Sequence, residues 1–128
     1  MEGPLVTAGR LAKAKWEARH IFRDRLALSH DAFRKYAQRK YRCKPQQVSF
    51  DDSGALRRIK DAVIMSGDNN YLGETDGIEI RITRMPMSHP LLVGTLLHEA
   101  MHDWCKVRGC CMCCKKEHFC MTKIGEIF

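Results

Sequence analysis

The run Thr95-Leu96-Leu97-His98-Glu99-Ala100-Met101-His102 constrains this chain more than any other segment. It contains the pattern H-E-x-x-H, whose chemistry requires a helix. Residues four apart lie one above the other on a helical face. Two imidazoles so placed converge on one Zn²⁺ at roughly 2.0–2.1 Å. Between them, Glu99 faces the open coordination position, where a carboxylate serves as general base toward an attacking water. The surroundings favour a helix. Leu91, Leu92, Val93, Leu96, Leu97, Ala100 and Met101 supply apolar surface. Ser88 is placed to cap the helix, and Pro90 falls in the first turn, where no backbone N–H is needed. The alternative is a core helix that happens to carry two histidines. It would bury His98, Glu99 and His102 together with no metal to compensate their desolvation.

The rest of the chain must support such a helix, and its 128 residues suit one domain with its own core. No apolar run approaches the length of a membrane span. The first residues, Met1-Glu2-Gly3-Pro4-Leu5-Val6-Thr7, lack the apolar core of a secretory signal. Six of the seven cysteines crowd between Cys105 and Cys120. Without a signal, that crowding suggests free or metal-bound thiols in a reducing compartment, and an intracellular protein of the cytoplasm or nucleus. Charge is uneven. Residues 1–46 hold 12 Lys and Arg against 4 acids, a balance of +8, whereas the remainder holds 10 against 11, a balance of −1. The basic N-terminal part is therefore a candidate contact for nucleic-acid phosphates.

Periodicity predicts α+β architecture. From about Gly9 to Leu28, Leu11, Ala14, Ala18, Ile21, Phe22 and Leu28 recur at helical spacing opposite Lys13, Arg19, Arg23 and Arg25. Ser29 is expected to cap a second helix, with Phe33, Tyr36, Ala37 and Tyr41 on its apolar side. Val48-Ser49-Phe50 reads as a short strand, and Ala55 to Met65 as a third helix. Ile78, Ile80 and Ile82 alternate with Glu79, Arg81 and Thr83, as in a half-exposed strand. Lying just before the metal helix, that strand is expected to offer its backbone to an extended peptide. His20 and His30 read as surface or packing residues, and His89 as a helix-start residue near the site. Asp103 is placed to hydrogen-bond a ligand histidine or simply to sit at the surface.

A catalytic zinc takes three protein ligands and keeps one open position. His118, sixteen residues after His102, is the leading candidate for the third, ahead of a predicted last helix from Phe119 to Ile127. Glu126 and a thiolate such as Cys120 are the alternatives. Cys105, Cys110, Cys111, Cys113, Cys114 and Cys120 could hold a second metal, form reversible disulfides, or be a loop of plain thiols.

The run Pro90 to Trp104 resembles the active-site helix of SprT-like (Spartan-type) metalloproteases. Those show a T-L-L-H-E-x-x-H core and a third histidine about fifteen residues later, before a phenylalanine-containing helix. His118-Phe119 is similar to that later element, and the segment Tyr71–Thr83 to the hairpin that precedes the helix. Asp103 stands where the family usually has alanine, and the cysteine cluster is unlike its usual loop. The resemblance covers roughly residues 68–128 and implies a zincin-like minimal metalloprotease domain, expected to take in all of residues 1–128. It would have basic N-terminal helices (1–46), a small antiparallel sheet, the H-E-x-x-H helix and a short C-terminal helix (47–128). It also implies Zn²⁺ on His98, His102 and His118, Glu99 as catalytic base, a protein or peptide substrate, and DNA as a partner of the basic helices. The competing expectation is a non-catalytic zinc-binding nucleic-acid module, in which a fourth protein ligand closes the metal site.

Overall fold

The computed structural model describes residues 3–66 and 71–108. These residues form four α-helices and five short strands, a mixed α+β fold. Helix α1 (Ala8–Ile21) begins at Thr7, whose side chain accepts from the Arg10 N–H at 3.3 Å. It buries Leu11, Ala14 and Ala18 against the core. The chain then stays coiled but leaves α geometry, through a π turn (Phe22–Leu26) and a 3₁₀ turn (Ala27–Ser29), before α2 (His30–Tyr41). Phe22 and Leu26 are fully buried, whereas Leu28 is 81% exposed, so the apolar stripe predicted to reach Leu28 stops two residues short. Ser29 does not cap α2; its hydroxyl donates to the Arg25 carbonyl instead.

Strand β1 (Val48–Phe50) matches expectation, and α3 (Asp52–Lys60) does not. The predicted helix Ala55 to Met65 begins and ends earlier because Asp51 caps it, accepting from Gly54 N at 3.1 Å. Val63, Ile64 and Met65 leave the helix as strand β2, as branched side chains on a pleated surface favour. A three-stranded sheet has the order β2-β4-β3, where β3 is Gly73–Thr75 and β4 is Ile80–Thr83. β2 pairs with β4 in parallel and β3 pairs with β4 antiparallel. The sheet is thus mixed, not purely antiparallel. A crossover through Tyr71 and Leu72 delivers β3 to the far side of β4, an order that local alternation does not encode. Within β4, Ile80 and Ile82 are fully buried, while Ile78 lies outside the strand and is 82% exposed.

Helix α4 (His89–Met101) lies at the centre, packed by α1, α3 and the three-stranded sheet. It buries residues on nearly all sides, as its apolar sequence requires. Directly after it, β5 (Cys105–Val107) pairs antiparallel with β1, Phe50 opposite Cys105. The predicted last helix, Phe119 to Ile127, lies outside the described residues.

Candidate metal centre

Helix α4 starts as its sequence predicts. Ser88 Oγ accepts from Leu91 N at 3.3 Å, and Pro90 occupies the first turn. A second tie fixes the same end: His89 Nε2 bonds Glu17 on α1, so His89 is a packing contact and not part of the site. The last turn tightens, with His102 N donating to Glu99 O at 3.3 Å. His102 caps the helix in right-handed helical geometry, so the four-residue spacing keeps its meaning. The His98 and His102 rings stand 5.0 Å apart, centroid to centroid, at 73°.

His98, Glu99 and His102 each present one donor atom, and the three atoms lie within 4.8 Å of one another. Glu99 Oε2 is 4.0 Å from His102 Nε2. Among the described residues this is the one group of three or more His, Cys, Asp or Glu gathered so tightly. Two imidazoles and a carboxylate are donors of the kind zinc takes. His98 is exposed, whereas Glu99 retains only 7% exposure. Such a carboxylate is kept in the interior only with compensating charge or hydrogen bonds.

The cluster forms the floor of a cleft between α4 and β3. A cavity of about 350 Å³ is lined by Tyr71, Leu72, Gly73, Leu91, Gly94, Thr95, His98 and Glu99. A neighbouring one of about 450 Å³ continues past Glu99 to His102 and Asp103, under Glu74, Thr75 and Asp76. Gly73 permits the close approach of strand to helix: a Cβ there would stand 3.1 Å from Thr95 Cγ2 and 3.1 Å from Arg81 O. Thr95 is held in place by its own bond to Leu91 O at 2.7 Å.

This geometry corrects one expectation. β4, the alternating strand, is paired on both edges and has no free backbone row for a peptide. The edge strands are β2 and β3; β3 lines the cleft, and among the described residues its second edge has no strand partner. A rigid turn carries β3 back to β4. Asp76 Oδ1 accepts from Ile78 N and Glu79 N, both at 2.9 Å, and Gly77 turns at φ +89°. Those two N–H donors hold the Asp76 carboxyl below its ordinary range. Arg81 joins Glu74 and Glu79, each at 3.0 Å, and Asp76 at 3.6 Å.

Behind the floor lie two supports that sequence reasoning missed. Arg58 of α3 is 3% exposed and donates from Nη2 to Ala100 O at 2.9 Å, between the two histidines' turns. Burial pushes its guanidinium below the ordinary value, while Asp103 and Asp51 act in the opposite sense. Asp103 thus acts on Arg58 through its charge and stands against Gly77. Trp104, two residues past His102, is fully buried. Its ring packs on Phe22, Phe33 and Phe50, with centroids 5.4, 4.9 and 4.7 Å away. Its indole N–H donates to Asp52 Oδ1 at 2.6 Å, and the same oxygen is 3.0 Å from His30 Nε2. His30 is thus a packing residue, as expected. His20 also stays local, stacked on Trp16 at 3.9 Å.

Cys105 is a buried core cysteine of β5, opposite Phe50 of β1. Cys43, outside that cluster, is also buried and is disulfide-bonded. His118, Glu126, Cys110, Cys111, Cys113, Cys114 and Cys120 lie outside the described residues. No helix among the described residues is long and apolar enough to cross a membrane. Comparison with protein-family models, with curated proteins and with solved structures gave no match.

Proposed function

We propose that this chain is a zinc-dependent metallopeptidase domain of the SprT-like, zincin kind, hydrolysing peptide bonds in a protein or peptide substrate. The observation that carries the reading is the convergence of His98, Glu99 and His102 at the floor of a cleft walled by an outer strand. A structural metal site has no need of a cleft. His98 and His102 would hold the ion, with His118 as the proposed third ligand. When bound, zinc supplies a Lewis acid for the scissile carbonyl and lowers the pKa of water in its open position.

The chain's own residues do the rest. Glu99, recessed between the histidines, takes the proton of the attacking water and returns it to the departing amine. Its burial keeps bulk water from competing for that proton. β3 positions an extended substrate through backbone hydrogen bonds, so that the reacting carbonyl lies over Glu99. Arg58 and Trp104 hold the end of α4 from beneath. The exposed cations of the N-terminal coil, among them Lys13 of α1, Arg23 and Arg25 of the π turn, and Lys35 and Lys40 of α2, are proposed to contact DNA and bring DNA-associated substrates to the cleft.

The test is Glu99→Gln against wild type, both assayed for zinc by elemental analysis and for cleavage of an unstructured protein. Retained zinc with cleavage lowered by at least about 10²-fold is expected. Equal cleavage refutes the role of Glu99. A second reading, a zinc-binding nucleic-acid module without catalysis, is favoured by exposed Trp16 amid this basic surface. A zinc-edge absorption spectrum separates the two. Three protein ligands plus water support hydrolysis, and four ligands including sulfur support the module.

A further inference from the structure

Gly94 occupies the middle of α4, one turn before His98, where a glycine costs helix stability relative to alanine. Packing gives no reason for it. Among the described residues, nothing lies within 4 Å of where its Cβ would stand, whereas a Cβ at Gly73 would press on Thr95 and Arg81. The space above Gly94 is the cavity of about 350 Å³ that Leu72, Leu91 and Thr95 also line and that runs directly into His98 and Glu99. We infer that Gly94 sets substrate specificity, by leaving room for one bulky aliphatic or aromatic side chain of the bound peptide. This rests on the peptidase reading above.

The strand direction says which side chain it is. β3 runs from Gly73 to Thr75, with Tyr71 and Leu72 beside Leu91 and Gly94 at one end of the cleft. At the other end, Thr75 and Asp76 lie beside His102 and Asp103. A peptide added to β3 in the more stable antiparallel sense enters at the Asp76 end and leaves at the Leu72 end. Its residues C-terminal to the reacting bond therefore pass over Gly94. Alternate side chains of an extended peptide face α4, and the first that does so beyond Glu99 fills the apolar space. The preferred bond is one followed by Leu, Ile, Met or Phe.

The experiment compares wild type, Gly94→Ala and Gly94→Phe. Cleavage sites in an unstructured protein are mapped by mass spectrometry. Dissociation constants are measured on Glu99→Gln protein for two peptides that differ only as Phe or Ala at the position after the scissile bond. Wild type is expected to favour the bulky residue by roughly 10- to 100-fold in kcat/KM. Gly94→Phe is expected to move cleavage to bonds followed by Gly, Ala or Ser and to equalise the two dissociation constants, with zinc content unchanged. Gly94→Ala, the safer variant for folding, should raise Tm and shrink the preference. A wild-type preference that survives in Gly94→Phe, or that lies before the scissile bond, overturns the subsite alone. If zinc-loaded wild type cleaves nothing, the peptidase reading falls. The subsite is then decided by the binding pair, and equal affinity for the Phe and Ala peptides on a Gly94 background overturns it.

Discussion

Replacing Trp104 with phenylalanine tests how the end of α4 is anchored. Trp104 is fully buried, so the substitution cannot be absorbed by solvent. It removes the 2.6 Å indole bond to Asp52 and leaves the Phe22, Phe33 and Phe50 ring contacts partly in place. A hydrogen bond to a charged acceptor contributes about 1.5–3 kcal/mol, and the smaller ring adds a void. The expected cost is about 2–4 kcal/mol. Trp104→Ala should cost at least as much, near about 3–5 kcal/mol. Asp52 keeps His30 as a partner, which limits the loss at its carboxylate. Equilibrium urea unfolding of metal-free protein is the assay. Circular dichroism is the appropriate probe, because the remaining tryptophan, Trp16, is 61% exposed and reports little of the core. The midpoint should fall with the slope unchanged. A double-mutant cycle with Asp52→Asn should show coupling of about 1–2 kcal/mol. A cost under about 0.5 kcal/mol, or additive single mutants, would falsify the anchoring role.

Two further outcomes follow from the cleft walls and one from the basic N-terminal face. Gly73→Ala should lower stability by about 1–2 kcal/mol through its contacts with Thr95 and Arg81 O. Adding Thr95→Ser, which removes the crowding methyl but keeps the hydroxyl, should recover part of that in thermal unfolding; no recovery sinks the explanation. Asp76 has a folded-state pKa below its ordinary value, so its carboxylate contributes stability above the unfolded value and loses it as pH falls toward the folded one. The Tm gap between wild type and Asp76→Asn should therefore be full at neutral pH and close in acid; a gap that widens in acid contradicts this. For the basic face, Lys13→Glu with Arg23→Glu should weaken duplex DNA binding and flatten its salt dependence in fluorescence anisotropy. Unchanged binding removes DNA from the proposal.

Helix α4 was readable from sequence because its signals are local. Ser88, Pro90 and the four-residue spacing of His98 and His102 each act within a turn or two. What sequence reasoning misplaced depends on partners far along the chain. Val63-Ile64-Met65 has apolar residues that continue a helix equally well, and only pairing with β4 makes it a strand. The alternation of Ile80 and Ile82 marks a strand near the site, but Ile78 falls outside it, and sheet order decides that β4 is central and β3 an edge strand. Arg58 carries no local sign of burial beside Arg57, which stays exposed. Trp104 stood next to the motif, yet its partners Asp52 and His30 come from two other elements.

The π turn at Phe22–Leu26 fixes the phase between two halves of the structure. Its wide coil, closed by the bond from Ala27 N to Phe22 O, carries one residue more than an α turn would. That extra residue sets the rotation with which α2 departs and hence the direction in which His30, its first residue, faces. Deleting one of the exposed Arg23, Asp24 or Arg25 removes no core contact, yet it would let the coil close into ordinary α geometry. His30 would then swing away from Asp52, and Trp104 would lose the alignment of its acceptor. A surface deletion in the π turn thus acts as a clutch between the basic helices and the floor of the cleft.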